Sequence, residues 1–288
     1  MRYISADIGG FSKYGNASEI VKMMKEAGFT AYDASMVNGG LLDWMLYADD
    51  WQEKAKEFRA YADELGIKCN QSHAPFSSAR ANDEKYNEWM FPRLIRAIEV
   101  SGILGVKVCV VHPCNDWGAE QNAEFYKKLE PIARKAGVKI GVENMWNCVN
   151  WGTPEFRATP AACSHHDDFK AHLDLLPSDV FVACVDIGHA EMKGLETSAA
   201  EMIETLGERV QALHIHDVDL THDNHQIPFT QAIDFEKVIE ALRKVQYQGD
   251  ITFEATYGMR AVPKALQAPL ARYMVAIANY FKEELEKE

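Results

Sequence analysis

Several things are scarce in this 288-residue chain, and each scarcity excludes a class. No stretch approaches ~18 consecutive apolar residues, so none is built to cross a bilayer as a helix. The opening MRYISADIGG holds no long apolar segment and does not read as a secretory signal. There is no low-complexity tract and no Pro/Gly/Ser-rich linker, which points to one domain over residues 1–288. Basic residues are in deficit, 30 against 43 acidic ones, for a net charge of −13. A broadly phosphate-binding surface does not fit that balance, and a nucleic-acid partner is disfavoured. The six cysteines (Cys69, Cys109, Cys114, Cys148, Cys163 and Cys184) form no C-x-x-C pair. They read as buried thiols of a reducing cytoplasm, where the chain is expected to reside. No P-loop occurs, and no G-x-G-x-x-G follows the first apolar run, which argues against a doubly wound nucleotide-binding sheet.

What is present is a repeated pattern. Short apolar runs at 3–7, 29–35, 67–73, 106–113, 138–144, 180–186, 210–217 and 250–256 are rich in Val, Ile and Cys. They are too short for helices and match buried parallel strands. Amphipathic segments lie between them, at 17–28, 51–66, 84–105, 119–137, 195–206 and 234–247, with a last one at 265–287. Asn16 with Glu19 three residues on is a capping-box pattern. Gly28, Gly66, Gly105 and Gly137 stand where helices stop before strands. The segment 145–179 is irregular, with a short helix near 165–174. Eight strands alternating with about eight helices predict an α/β fold, a single (β/α)8 TIM barrel.

In such a barrel, chemistry sits at the C-terminal strand ends. Here the runs end in Asp7, Asp33, His73, His112, Glu143 and Asp186 (with His189 three later), then His214, His216 and Asp217, and finally Glu254. Lys and Arg are nearly absent from these ends. Buried like charges repel unless something neutralises them, and a divalent cation supplies that charge. Glu, Asp and His donors suit Mn2+, Co2+, Mg2+ or Zn2+. Phe11, Trp117, Trp146 and Trp151 follow strand ends and are candidate pocket walls.

The motifs HAPF (73–76), VVHP (110–113), VENM (142–145), VDIGHAEM (185–192), HIHDVD (214–219) and FEAT (253–256), in order and one per strand, resemble the xylose isomerase-like barrel superfamily. They are most similar to its sugar (phosphate) isomerase/epimerase branch, the ketose 3-epimerases and inositol-catabolism enzymes. The resemblance implies one divalent metal held by Glu143, Asp186, His214 and Glu254, with Glu143 and Glu254 also exchanging protons. His189, His225, His73, His112 and Trp117 are expected at the substrate, a small sugar or cyclitol. His216 is expected as a wall or supporting donor. A keto-inositol-type dehydratase would use the same metal. The endonuclease IV type of the superfamily holds three Zn2+, and candidates for its whole ligand set occur here: His73, His112, Glu143, Asp186, His189, His214, Asp223, His225 and Glu254. The loop after strand 7, IPFTQAIDF (227–235), lacks the branch's glycines, which favours an unphosphorylated substrate. Homodimers and homotetramers both occur among such relatives.

Overall fold

The computed structural model describes residues 2–37 and 39–287. Eight short strands follow one another: β1 Ile4–Ala6, β2 Ala31–Ser35, β3 Lys68–His73, β4 Val108–Val110, β5 Lys139–Glu143, β6 Phe181–Asp186, β7 Val210–His214 and β8 Ile251–Phe253. β2 through β7 pair in chain order, all parallel, and β1 pairs with β8. Parallel bridges Asp7–Asp33 and Ile215–Phe253 join these two sheets at both edges and close the ring. The expected (β/α)8 barrel is therefore observed, although β4 and β8 are shorter than their apolar runs.

The helices start and stop where local chemistry directs. Asn16 accepts from the Glu19 amide at 3.0 Å and Glu19 accepts from the Asn16 amide at 2.9 Å, closing the capping box of helix Ala17–Ala27. Gly28, Gly66, Gly105 and Gly137 all take positive φ, a left-handed helix exit that costs a glycine little.

The core has two layers. Odd-numbered strand residues such as Cys109, Val111, Phe181, Ala183 and Val185 face the helices, in one cluster with Phe235, Phe253 and Phe281. Val108, Val110, Val182, Cys184 and Ala212 form a separate cluster that plugs the barrel interior. Gly141 belongs to that layer: a Cβ there would sit 2.9 Å from Val108, so the plug closes only around a glycine. Each large side chain buried this way contributes about 1.5–3 kcal/mol. The plug forms the floor under the polar strand ends.

The irregular stretch contains an element the sequence pattern did not reveal. Asn147–Val149 and Arg157–Thr159 pair antiparallel as a hairpin at the C-terminal rim. Among the described residues no helix is long and apolar enough to cross a membrane.

Candidate metal centre and active site

β5, β6, β7 and the residue after β8 deliver Glu143, Asp186, His214 and Glu254 to one point. One donor atom from each lies within 4.8 Å of the others. Glu143 is central: Oε1 lies 2.9 Å from His214 Nδ1 and Oε2 lies 2.8 Å from His112 Nε2. His214 Nδ1 also faces Glu254 at 3.3 Å and Asp186 at 3.9 Å. Its other nitrogen is 4.0 Å from Asp33.

Two more groups flank the first. His73 and His112 meet at 3.1 Å between their Nε2 atoms and share Glu143. On the other side His189, His216, Asp223 and His225 gather, with His189 Nε2 3.2 Å and His225 Nε2 3.1 Å from Asp223. His216 donates to Asp186 at 2.9 Å and stacks on His225 with centroids 3.9 Å apart. Of the expected site residues, the structure brings together Glu143, Asp186, His214, Glu254, His189, His225, His73 and His112. Trp117 is placed elsewhere: its ring packs edge-on against Phe125 at 6.1 Å, beside a groove between helices Glu84–Leu104 and Ala119–Ala136. Phe11 is fully buried against Phe29 and is no pocket wall. Asp217 is a loop organiser. It accepts the amides of Val218, Thr230, Gln231 and Ile233 at 2.8–3.0 Å, fixing the 227–235 turn that lacks glycine. Five of the six free cysteines are buried as expected, while Cys148 on the hairpin is only partly covered.

Protons balance much of the buried charge. Burial works against ionising Glu143, but His214 and His112 outweigh it and hold Glu143 well below the usual carboxylate range. Burial pushes Glu254 up to about 8, and Asp33, beside Asp7, up to about 7. Burial also opposes charge on His214, yet the Cys184 sulfur and the Glu254 and Glu143 carboxylates raise it well above an ordinary histidine. His225 rises to about 10 because Asp223 overcomes burial, and His73, buried beside His112, falls to about 3.

The donors fit a divalent cation. Glu143, Asp186 and His214 are buried and Glu254 nearly so, and a mixed carboxylate and imidazole set of this kind suits a divalent ion. The family model described as xylose isomerase-like TIM barrel matches residues 21–274. The chain belongs to the xylose isomerase-like TIM barrel family.

Among solved members of this fold, a D-tagatose 3-epimerase-like protein superposes with TM-score 0.71 at 20% identity, covering 96% of this chain and 98% of that one. The IolI protein with a bound zinc gives 0.72 at 16%, covering 98% and 97%. The 3-keto-D-glucoside 4-epimerase YcjR of E. coli gives 0.69 at 16%, covering 97% and 100%. In sequence, the uncharacterized Methanocaldococcus jannaschii protein MJ1311 is 27% identical over 193 residues, 63% of this chain and 62% of that protein. The uncharacterized Sinorhizobium fredii protein y4fM is 28% identical over 105 residues, 36% of this chain and 29% of that one. The chain thus spans 62% and 29% of these two relatives.

Some site residues of this family member give little signal in sequence. Asn144 bridges two strands: its side chain accepts from the Asp186 amide at 2.7 Å and donates to the Asp186 carbonyl at 2.9 Å. That brace sets where the Asp186 carboxylate points. Gly188 touches the ring of His216, where a Cβ would fall 2.0 Å from Cε1. Trp146 donates to Asp223 at 3.3 Å and faces His189. Phe76 and Tyr257 present ring edges to His112 and His225. Only the positions just after strand ends hinted at any of these.

Proposed function

We propose that this protein is a divalent-metal-dependent isomerase or epimerase of a sugar or cyclitol, moving a proton on a carbon next to a carbonyl. The observation that supports it most is the convergence of Glu143, Asp186, His214 and Glu254 on one point. The four residues would hold one ion, which when bound polarises oxygens beside the reacting carbon as a Lewis acid. The chain's own groups do the rest. Glu143, held ionised between His112 and His214, is the base that takes the carbon-bound proton. Glu254, just after β8 and 16% exposed at its side chain, is the second carboxylate that exchanges protons with that carbon. Return to the opposite face inverts the centre, and return to the adjacent carbon interconverts aldose and ketose. His189, its Nδ1 on the Asn144 carbonyl at 2.9 Å and its Nε2 on Asp223 at 3.2 Å, holds Asp223 beside the centre.

The experiment is solvent-deuterium exchange into a ketose by the metal-loaded enzyme. Glu143→Gln and Glu254→Gln should each abolish exchange while circular dichroism stays unchanged. Undiminished exchange in both refutes the roles. A product lighter by one water places the same site among dehydratases.

A second reading has its own observation. The flanking groups His73/His112/Glu143 and His189/His216/Asp223/His225 offer donors for two further ions. Three Zn2+ per chain, with chelator-sensitive nicking of abasic DNA, would favour a phosphodiesterase.

A further inference from the structure

We propose that the substrate is a glycoside, with the reacting sugar ring at the metal centre and a second, uncharged polyhydroxylated ring in an adjoining cavity. This rests on the sugar reading above. The cavity, about 330 Å3, is lined by residues that follow β3, β4 and β5, on the same rim of the barrel as the metal centre. Phe76 belongs to both places. Its ring meets His112 edge-on at 4.6 Å, it lines the cavity, and it stays 48% exposed. His112 in turn touches Glu143 at 2.8 Å. Two rings, Phe76 and His112, therefore lead from the cavity to the proposed base.

Its walls match a sugar's two kinds of surface. Phe76 offers an apolar face for ring C–H groups. The opposite wall carries planar polar groups. The Arg80 guanidinium lies flat on Tyr86 at 3.8 Å, which fixes the direction of its donors. Asn115 donates to the Trp146 carbonyl at 3.0 Å and to Asn147 Oδ1 at 3.2 Å, and Asn147 donates to Asp116 at 3.4 Å. This chain of amides pins the hairpin against the loop after β4, so the wall is preformed. Arg80 and Asp116 are exposed, and the donors and acceptors left over from their contacts to Asp83 and Asn147 are open to sugar hydroxyls. Arg80 already pairs with Asp83 at 3.8 Å and Asp116 adds a negative charge, so no spare cation is left for a phosphate or carboxylate and a neutral ring fits better. The volume equals about ten water molecules at ~30 Å3 each, enough for one pyranose ring. A free monosaccharide at the metal would leave all of it to solvent.

The test compares D-fructose with maltulose, leucrose and isomaltulose, three glucosyl-fructoses whose C3 hydrogen is free. Deuterium incorporation at C3 is followed by NMR with the metal-loaded enzyme. At least one disaccharide should show kcat/KM about tenfold or more above D-fructose. Arg80→Ala and Asp116→Ala should remove most of that preference and leave fructose exchange unchanged. Fructose exchanging as fast as every disaccharide, or the variants slowing both alike, would overturn the second-ring site and leave the sugar reading standing. Exchange on none of the four would overturn the sugar reading itself. Both variants lie on the exposed rim, and circular dichroism separates loss of fold from loss of the site.

Discussion

Metal binding by this chain should expel protons, and Glu254→Gln should remove one of them. In the metal-free protein Glu254 has a pKa of about 8 and His214 is raised well above an ordinary histidine, so both hold protons near neutrality. A ligand must present a free lone pair, so the ion has to displace both protons. The sign follows. Affinity is weakest in acid, rises with pH, and Glu254 stops contributing above about pH 8. Each expelled proton changes the dissociation constant about tenfold per pH unit, or ~1.4 kcal/mol. Between about pH 6 and 7 the wild type should gain about a hundredfold, and Glu254→Gln only about tenfold. His214 keeps its contact to Glu143 at 2.9 Å in that variant, so its proton is still counted. Titration calorimetry with Mn2+ in buffers of different ionisation enthalpy reads the number directly. Two protons in the wild type and one in the variant are expected. Equal proton release from both would refute the placement of Glu254 in the ligand set and the charge balance drawn from burial.

Other perturbations test the scaffold around the site. Gly188→Ala forces a Cβ to within 2.0 Å of the His216 ring, so it should cost about 1–3 kcal/mol in denaturant melts and weaken metal binding as His216 leaves Asp186. Asn144→Ala removes both braces on the Asp186 backbone and should cost about 1–3 kcal/mol, with a larger loss in metal affinity than its stability cost alone predicts. Phe281→Ala empties a fully buried position against Phe229, Phe235 and Phe253, for a loss of about 3–5 kcal/mol in urea unfolding with the metal affinity of the folded fraction unchanged. Asn16→Ala breaks the capping box at about 1 kcal/mol and should leave deuterium exchange at wild-type rate, a control for the three others.

Much of this was readable without coordinates, for definite reasons. Buried parallel strands must be short apolar runs, and helices between them must show an apolar stripe, so the barrel announces itself in pattern. The terminal residues of those runs, Glu143, Asp186, His214 and Glu254, are polar groups that a core strand tolerates only where it opens to a site. The hairpin Asn147–Thr159 escaped because its strands are three residues each and half exposed, giving no alternation to detect. Trp117 was misplaced because an aromatic after a strand end can turn toward the site or toward the helices, and only packing against Phe125 settles which.

The sequence by itself determined the fold class, the chemistry type at each strand end and the excess of acidic over basic residues, because those depend on residue identity and spacing along one chain. Tertiary structure decided which of those ends meet. Asp217 and His216 are neighbours in sequence, yet successive residues point in different directions. Asp217 turns to four loop amides and His216 turns to Asp186. The closing of the ring through Asp7–Asp33 and Ile215–Phe253 brings Glu254 within 3.3 Å of His214, and the Asn144 brace aims Asp186 at the same point. Distances of that kind are set by barrel closure and packing, which no local pattern encodes.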